Sequence, residues 1–336
     1  MHPEGVSTAE RVPHGGTENR DLLEFSANTN PETPPGTREV YEAAFDRAVR
    51  YPDDGYEAFR TAAASAVGVE PAQIVPTPGG LAAIRLAIGT TVEAGDEVLV
   101  ATPSFSEYAR EVRMQGGSVR FRDAGTMLDA DPDRAALVIV CNPNNPTGEA
   151  YDHDDLRAFA ERCRAAGTTL LVDEAFLGFT DRPSMAGIEG VIVARALTKL
   201  YGLPGIRAGY AVAAGDDLGR LATARRAWSL STPAAAVGAH CLDSEEFVAR
   251  TRERVASERE RLRAALSEHF DVHPSDAPFL LLDIGERDVE ELVESARANG
   301  VAIRDATTFR GLDSHVRVAV RTPEENDRLL EVLYNG

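Results

Sequence analysis

The chain has 336 residues and a single lysine, Lys199, beside 34 arginines. Cysteine is scarce too. Cys141, Cys163 and Cys241 are odd in number and far apart, which fits reduced, buried thiols better than a disulfide framework or a metal site. No run of 18 apolar residues occurs, so no membrane-spanning helix is expected. Residues 1–21 are polar, contain Pro and Gly, and lack the apolar stretch of a signal peptide. Positive charge is in deficit, with a net charge of −19. Phosphate backbones repel such a surface, so no nucleic-acid partner is expected. These absences predict a cytosolic protein with reduced thiols and no metal. Dense carboxylates also suit concentrated salt, which screens their repulsion. A halophilic source follows as an expectation. An ordinary acidic enzyme of the cytosol shares the same composition.

What is present starts from the lone lysine. Arginine replaces lysine as a cation but not as a neutral amine, because guanidinium keeps its proton. The task that demands an amine is Schiff-base formation with a carbonyl or with pyridoxal phosphate (PLP).

Apolar residues make up 43% and charged residues 26%, which fits a globular fold rather than a disordered chain. Short apolar runs at 97–101, 136–141, 169–173, 191–194 and 208–213 read as strands. Helical stretches separate them. Between 155 and 163, Leu156, Phe159, Ala160 and Cys163 fall on one helix face. The alternation predicts an α/β fold, with a mostly parallel sheet covered by helices on both faces. Beyond about Ser231 the pattern changes to a helix at 253–269, a strand at 279–283, a helix at 288–299, a strand at 316–320 and a helix from 324. The expected organisation is a large domain at 46–230 and a smaller α+β domain at 231–336. Residues 1–45 are expected to join the smaller domain and the substrate site.

Several motifs carry chemistry. Gly79-Gly80-Leu81 precedes a helix-like run. Glycines let backbone N–H groups approach an anion at a helix start, although a simple Gly-rich turn looks the same. Phe105 follows a strand, where its ring has a planar face to offer. Asn142-Pro143-Asn144-Asn145-Pro146-Thr147-Gly148 follows the strand ending at Cys141, and open α/β sheets bind ligands at strand C-termini. Asp173 closes the next apolar strand. A carboxylate buried there needs a cation or strong donors, unless it caps a helix. Arg207 offers a planar fork for phosphate eight residues after Lys199, and Thr198 adds a hydroxyl.

In this order, the set resembles the fold-type-I PLP enzymes, specifically the class I/II aminotransferase superfamily. The resemblance covers nearly the whole chain, from about His14 onward. It implies a homodimer with PLP bound as a Schiff base on Lys199. Asp173 would pair with the pyridine nitrogen, Asn145 would bond the phenolic oxygen, and Phe105 would stack on the ring. Gly79, Gly80, Leu81, Thr198 and Arg207 would hold the cofactor phosphate, and Tyr51 would reach it from the partner subunit. Arg317 would grip the substrate carboxylate. An intact residue set of this kind argues against a catalytically silent binding protein built on the same fold.

Two branches of the superfamily are similar: the histidinol-phosphate aminotransferases and the threonine-phosphate decarboxylases. His14-Gly15-Gly16, the segment from Phe25 to Pro31, Phe176, residues 303–312 and Arg321 resemble the decarboxylases more. The expectation is decarboxylation of L-threonine O-3-phosphate, with histidinol-phosphate transamination as the alternative. The substrate is a phosphorylated amino compound in both. His14, Asn28, Arg317 and Arg321 are the candidates for its anionic groups.

Overall fold

The structure is a computed structural model and describes residues 1–335. Its centre is a seven-stranded sheet. The strands are β1 (Ile74–Thr77), β2 (Glu97–Thr102), β3 (Ser118–Asp123), β4 (Ala135–Cys141), β5 (Thr169–Asp173), β6 (Val191–Ala196) and β7 (Gly209–Val212). They lie in the order β1-β7-β6-β5-β4-β2-β3. Strands β6, β5, β4, β2 and β3 run parallel, and β7 is antiparallel to both its neighbours.

The near-continuous apolar runs of the middle strands have a direct cause. In β4, Leu137, Ile139 and Cys141 enter one core cluster, while Val138 and Val140 enter another. In β5, Leu171 joins the first cluster, and Leu170 and Val172 join the second. Successive side chains point to opposite faces, so two buried faces require apolar residues at every position. The five strands expected from apolar runs are all present.

Two strands escaped that reading, and both are sheet edges. β1 pairs only with β7, and β3 pairs only with β2. Pro76 is tolerated in β1 because an edge strand has one unpaired side. β3 (Ser-Val-Arg-Phe-Arg-Asp) alternates polar and apolar residues, as a half-exposed edge does.

A four-stranded antiparallel sheet forms a second body of structure. It consists of Asp271–Val272, Phe279–Asp283, Arg304–Asp305 and His315–Ala319. Helices Val289–Ala298 and Pro323–Asn335 accompany it. The long helix Glu245–Leu266 begins earlier than the expected 253 and follows helix Thr232–Leu242. The amino-terminal segment adds a short parallel pair, Leu23 opposite Val301 and Glu24 opposite Ala302. That pairing carries residues 25–30 to the ends of the central strands. The three cysteines are buried and free. Among the described residues there is no metal-ligating cluster and no helix long and apolar enough to cross a membrane.

Candidate active site

The C-terminal ends of the parallel strands open into a cavity of about 350 Å³. Strands β2, β4, β5 and β6 deliver chemical groups to it. β5 ends on Asp173, and Cys141 at the end of β4 stands beside it in register. The loop after β4 brings Asn145, the loop after β2 brings Phe105, and the loop after β6 brings Lys199. The second sheet and the amino-terminal segment close the opposite wall with Arg304, Phe309, Arg317, His14 and Asn28.

Lys199 is half-buried, and its Nζ donates to the Ala27 carbonyl oxygen at 2.7 Å. Nζ also lies 5.9 Å from the centre of the Phe176 ring. Burial, and next the Arg317 guanidinium, pull its ammonium down to about 8, while Asp173 opposes the shift. A lysine in that range is an amine for a useful fraction of the time near neutral pH.

Asp173 is buried, and burial raises its carboxyl above the usual carboxylate range. Two donors resist that rise: Tyr108 Oη at 2.6 Å and the Ala175 N–H at 3.0 Å. Its neighbour Glu174 is committed elsewhere. It pairs with Arg195 at 3.0 Å and accepts from Ser184 at 2.6 Å and the Met185 N–H at 2.8 Å.

Asn145 accepts from Arg317 through its side-chain oxygen. That bond leaves its N–H₂ group for another acceptor. Asn28 is buried in the left-handed region at φ 53°, and its Oδ1 has no hydrogen-bond partner among the described residues. Phe105 lies 5.7 Å from the His14 ring and edge-on to Tyr108 at 5.5 Å.

Arg207 crosses the start of helix Gly80–Thr91. A Cβ on Gly79 (φ 97°) would lie 2.5 Å from Arg207 Nη2, and one on Gly80 would lie 2.9 Å from the Ala196 Cβ. Gly79 thus leaves room for Arg207, and Gly80 lets the helix start close against Ala196 at the end of β6. Arg207 bonds only carbonyl oxygens, of Pro204 and Pro78, and makes no ion pair among the described residues. Leu81 and Arg207 also line a neighbouring cavity of about 830 Å³ with Trp228 on its rim.

The expected site residues divide cleanly. Lys199, Asp173, Asn145, Phe105, Leu81, Arg207, His14, Asn28 and Arg317 line the small cavity. Gly79 and Gly80 stand behind Arg207. Thr198 precedes Lys199 without lining the cavity. Tyr51 lies outside: it is 79% exposed and stacks on Trp228 with ring centres 4.4 Å apart. Arg321 does not reach the cavity, contrary to the expectation for it. Its fork is taken by the Glu24 carbonyl oxygen at 2.9 Å and Glu325 at 2.8 Å.

Three residues that the sequence reading did not single out belong to the site. Arg304 stands directly opposite Arg317 across an antiparallel strand pair. Tyr108 holds Asp173. Glu107 is buried and accepts from the His14 Nε2 at 3.0 Å. The signal for Arg304 was a cation inside a strand-like run, visible only once its partner strand is known.

The sequence profile of the family "Aminotransferase class I and II" matches residues 20–333. The chain belongs to this family. Its members depend on PLP, and the cofactor is PLP. The chain is similar to histidinol-phosphate aminotransferase 1 of Archaeoglobus fulgidus, with 31% identity over 93% of this chain and 98% of that protein. It is also similar to an aromatic amino acid aminotransferase of Mycobacterium sp. (strain JLS), with 35% identity over 93% of this chain and 92% of that protein. Among solved structures it is similar to L-threonine-O-3-phosphate decarboxylase of Porphyromonas gingivalis. That match has a TM-score of 0.84 and 25% identity, and it covers 93% of this chain and 98% of that one. The chain is thus a PLP-dependent enzyme of the aminotransferase family.

The residues fit the cofactor. The cavity offers one primary amine, a buried carboxyl that makes no ion pair, a free amide donor, a flat aromatic face and a distal arginine over a glycine pair. These match an aldehyde, a ring nitrogen, a phenolic oxygen, a planar ring and a phosphate.

Proposed function

We propose that the protein is an aminotransferase acting on a phosphorylated amine of the histidinol phosphate type, with a 2-oxo acid as the amino acceptor. One observation carries this reading. Arg304 and Arg317 face each other across two strands, and neither makes an ion pair among the described residues. Like charges set directly opposite destabilise a strand pair unless an anion lies between them. Both guanidiniums pack on the Phe309 ring, at 5.7 and 5.5 Å, and each has a buried Nε without a hydrogen-bond partner. Burial, and then Arg304, push Arg317 below its ordinary value, which marks a poorly solvated cation in need of a counter-charge. A phosphate or carboxylate meets that need through charge-assisted, forked hydrogen bonds.

The other roles in this reading are supported by the cavity lining. Lys199 holds the cofactor and moves the proton at the substrate Cα. When bound, the protonated pyridine ring draws electrons from the bonds at that carbon. Asp173 would pair with the ring nitrogen, Asn145 would donate to the phenolic oxygen, and Phe105 would offer its face to the ring. Arg207 holds the phosphate end, with Gly79, Gly80 and Leu81 beneath it and Thr198 adjacent. His14 and Asn28 roof the substrate. Tyr51 serves the site of a second copy. Support for that pairing comes from its exposure and from the exposed apolar residues Tyr41, Phe45, Val49 and Trp228. Residues 1–45, 46–230 and 231–336 act as strap, cofactor domain and substrate domain, and the protein works in the cytosol.

The residues alone favoured the decarboxylase branch. The relatives of 31% identity or more favour the aminotransferase, and Arg321 lends no second anion anchor. Decarboxylation of L-threonine O-3-phosphate stays as the second reading, because His14 and Phe176 both line the cavity. The test incubates purified enzyme with histidinol phosphate plus 2-oxoglutarate, and separately with L-threonine O-phosphate. Glutamate in the first mixture and no CO₂ from the second is expected. CO₂ from the second without glutamate in the first reverses the choice.

A further inference from the structure

We propose that Tyr108 is a positioning residue whose hydroxyl, bound to Asp173, keeps the proton of the Asp173–cofactor hydrogen bond on the ring nitrogen. The inference rests on the reading that Asp173 meets that nitrogen.

Tyr108 lies on helix Glu107–Met114 and is wholly buried. Its Oη donates to Asp173 Oδ2 at 2.6 Å, and the Ala175 N–H donates to Oδ1 at 3.0 Å. The charged and titratable groups that face Asp173 are Tyr108, Cys141 from β4, Glu174 next in sequence, and Lys199 across the cavity. Burial raises both the Tyr108 phenol and the Cys141 thiol, so both stay neutral. Glu174 is neutralised by Arg195. Tyr108 is thus a hydrogen-bond donor to Asp173 rather than a competing charge.

The physical problem is where one proton sits. A carboxylate facing a protonated nitrogen is an ion pair, and a carboxylic acid facing a neutral nitrogen is not. A dry site favours the neutral arrangement. Donors to the carboxylate oppose that preference, because hydrogen bonds to the charged form stabilise it. With Tyr108 and Ala175 both donating, Asp173 is a weaker base than burial alone would make it, and the balance moves towards a protonated nitrogen. Only a protonated ring draws electrons strongly, so the hydroxyl acts on rate through Asp173. The Tyr108 ring also backs Phe105 edge-on, which a phenylalanine at 108 would preserve.

The test uses enzyme loaded with PLP labelled with ¹⁵N at the ring nitrogen, whose resonance reports protonation directly. Wild type, Tyr108→Phe and a variant carrying 3-fluorotyrosine at 108 are titrated with pH. In Tyr108→Phe the nitrogen should lose its proton about one pH unit or more earlier than in wild type. Turnover should fall several-fold with KM nearly unchanged. Fluorotyrosine, a stronger donor, should hold the proton to higher pH than tyrosine does. Identical nitrogen titrations in wild type and Tyr108→Phe would overturn the inference and leave Tyr108 as packing. Should Tyr108→Phe fail to fold, the fluorotyrosine variant decides alone, and an unshifted titration there overturns the inference as well. Wild type that stays colourless with PLP would overturn the cofactor reading and this inference with it.

Discussion

The two walls of the cavity are built on opposite plans. The wall of Asp173, Asn145 and Lys199 stands on the ends of parallel strands, and each polar group there is hydrogen-bonded: Asp173 to Tyr108 and the Ala175 N–H, Asn145 to Arg317, and Lys199 to the Ala27 carbonyl oxygen. The wall of Arg304 and Arg317 is cationic, comes from the second sheet, and is completed by the amino-terminal segment. Its guanidiniums lean on backbone oxygens and aromatic faces rather than carboxylates. On the proposed reading, the first wall would hold the cofactor and the second would meet the anionic group of the substrate.

The comparison breaks most severely at Lys199. Lys199→Ala should lose turnover by orders of magnitude, since no other lysine exists to replace it. The pH dependence of PLP capture by apoenzyme follows from the same residue. Its pKa is lowered to about 8, so the reactive amine is scarce below that value and complete above it. Capture should speed up as pH rises through about 8 and then level off. A capture rate that falls over this range would contradict the placement of Lys199.

The second effect sharpens the contrast between two arginines. Arg304→Gln should raise KM for the phosphorylated amine about 10- to 100-fold, from loss of a charge-assisted hydrogen bond. The visible spectrum of the bound cofactor should stay unchanged. Arg321→Ala should leave KM within about twofold. It should instead lower stability by about 1–2 kcal/mol, measured by denaturant unfolding, because the Glu325 pair and the Glu24 bond are lost. Exchanged results for the two variants would restore Arg321 to the site.

Legibility followed the same division. The central strands announced themselves because two buried faces demand unbroken apolar runs. The groups at their ends sit in short local motifs, so Asp173, Asn145 and Lys199 could be read in order. Arg304 and Arg317 are separated by a loop, and their opposition is a fact of strand register. Arg321 resembled a site arginine of the decarboxylase branch, but Glu325 lies four residues on along the chain and takes its fork. Tyr108 is a core residue by burial, and only its hydroxyl reaches the site, through Asp173. The choice between bond cleavages was the least legible. It depends on how the substrate rotates about its N–Cα bond, a matter of side-chain geometry rather than of sequence motif.

The smallest expected effect concerns the whole surface. A net charge of −19 repels itself across a Debye length of roughly 10 Å at 0.1 M salt and 3 Å at 1 M. The melting temperature should therefore rise through the molar range of KCl. A flat profile between about 0.1 and 2 M would remove the halophilic expectation without touching the enzyme.

The most direct test of the account is borohydride reduction of the PLP-loaded enzyme, followed by peptide mapping. The peptide containing Lys199 should carry the mass of the reduced cofactor in nearly every molecule. Recovery of that peptide unmodified from coloured, fully loaded enzyme would contradict the account.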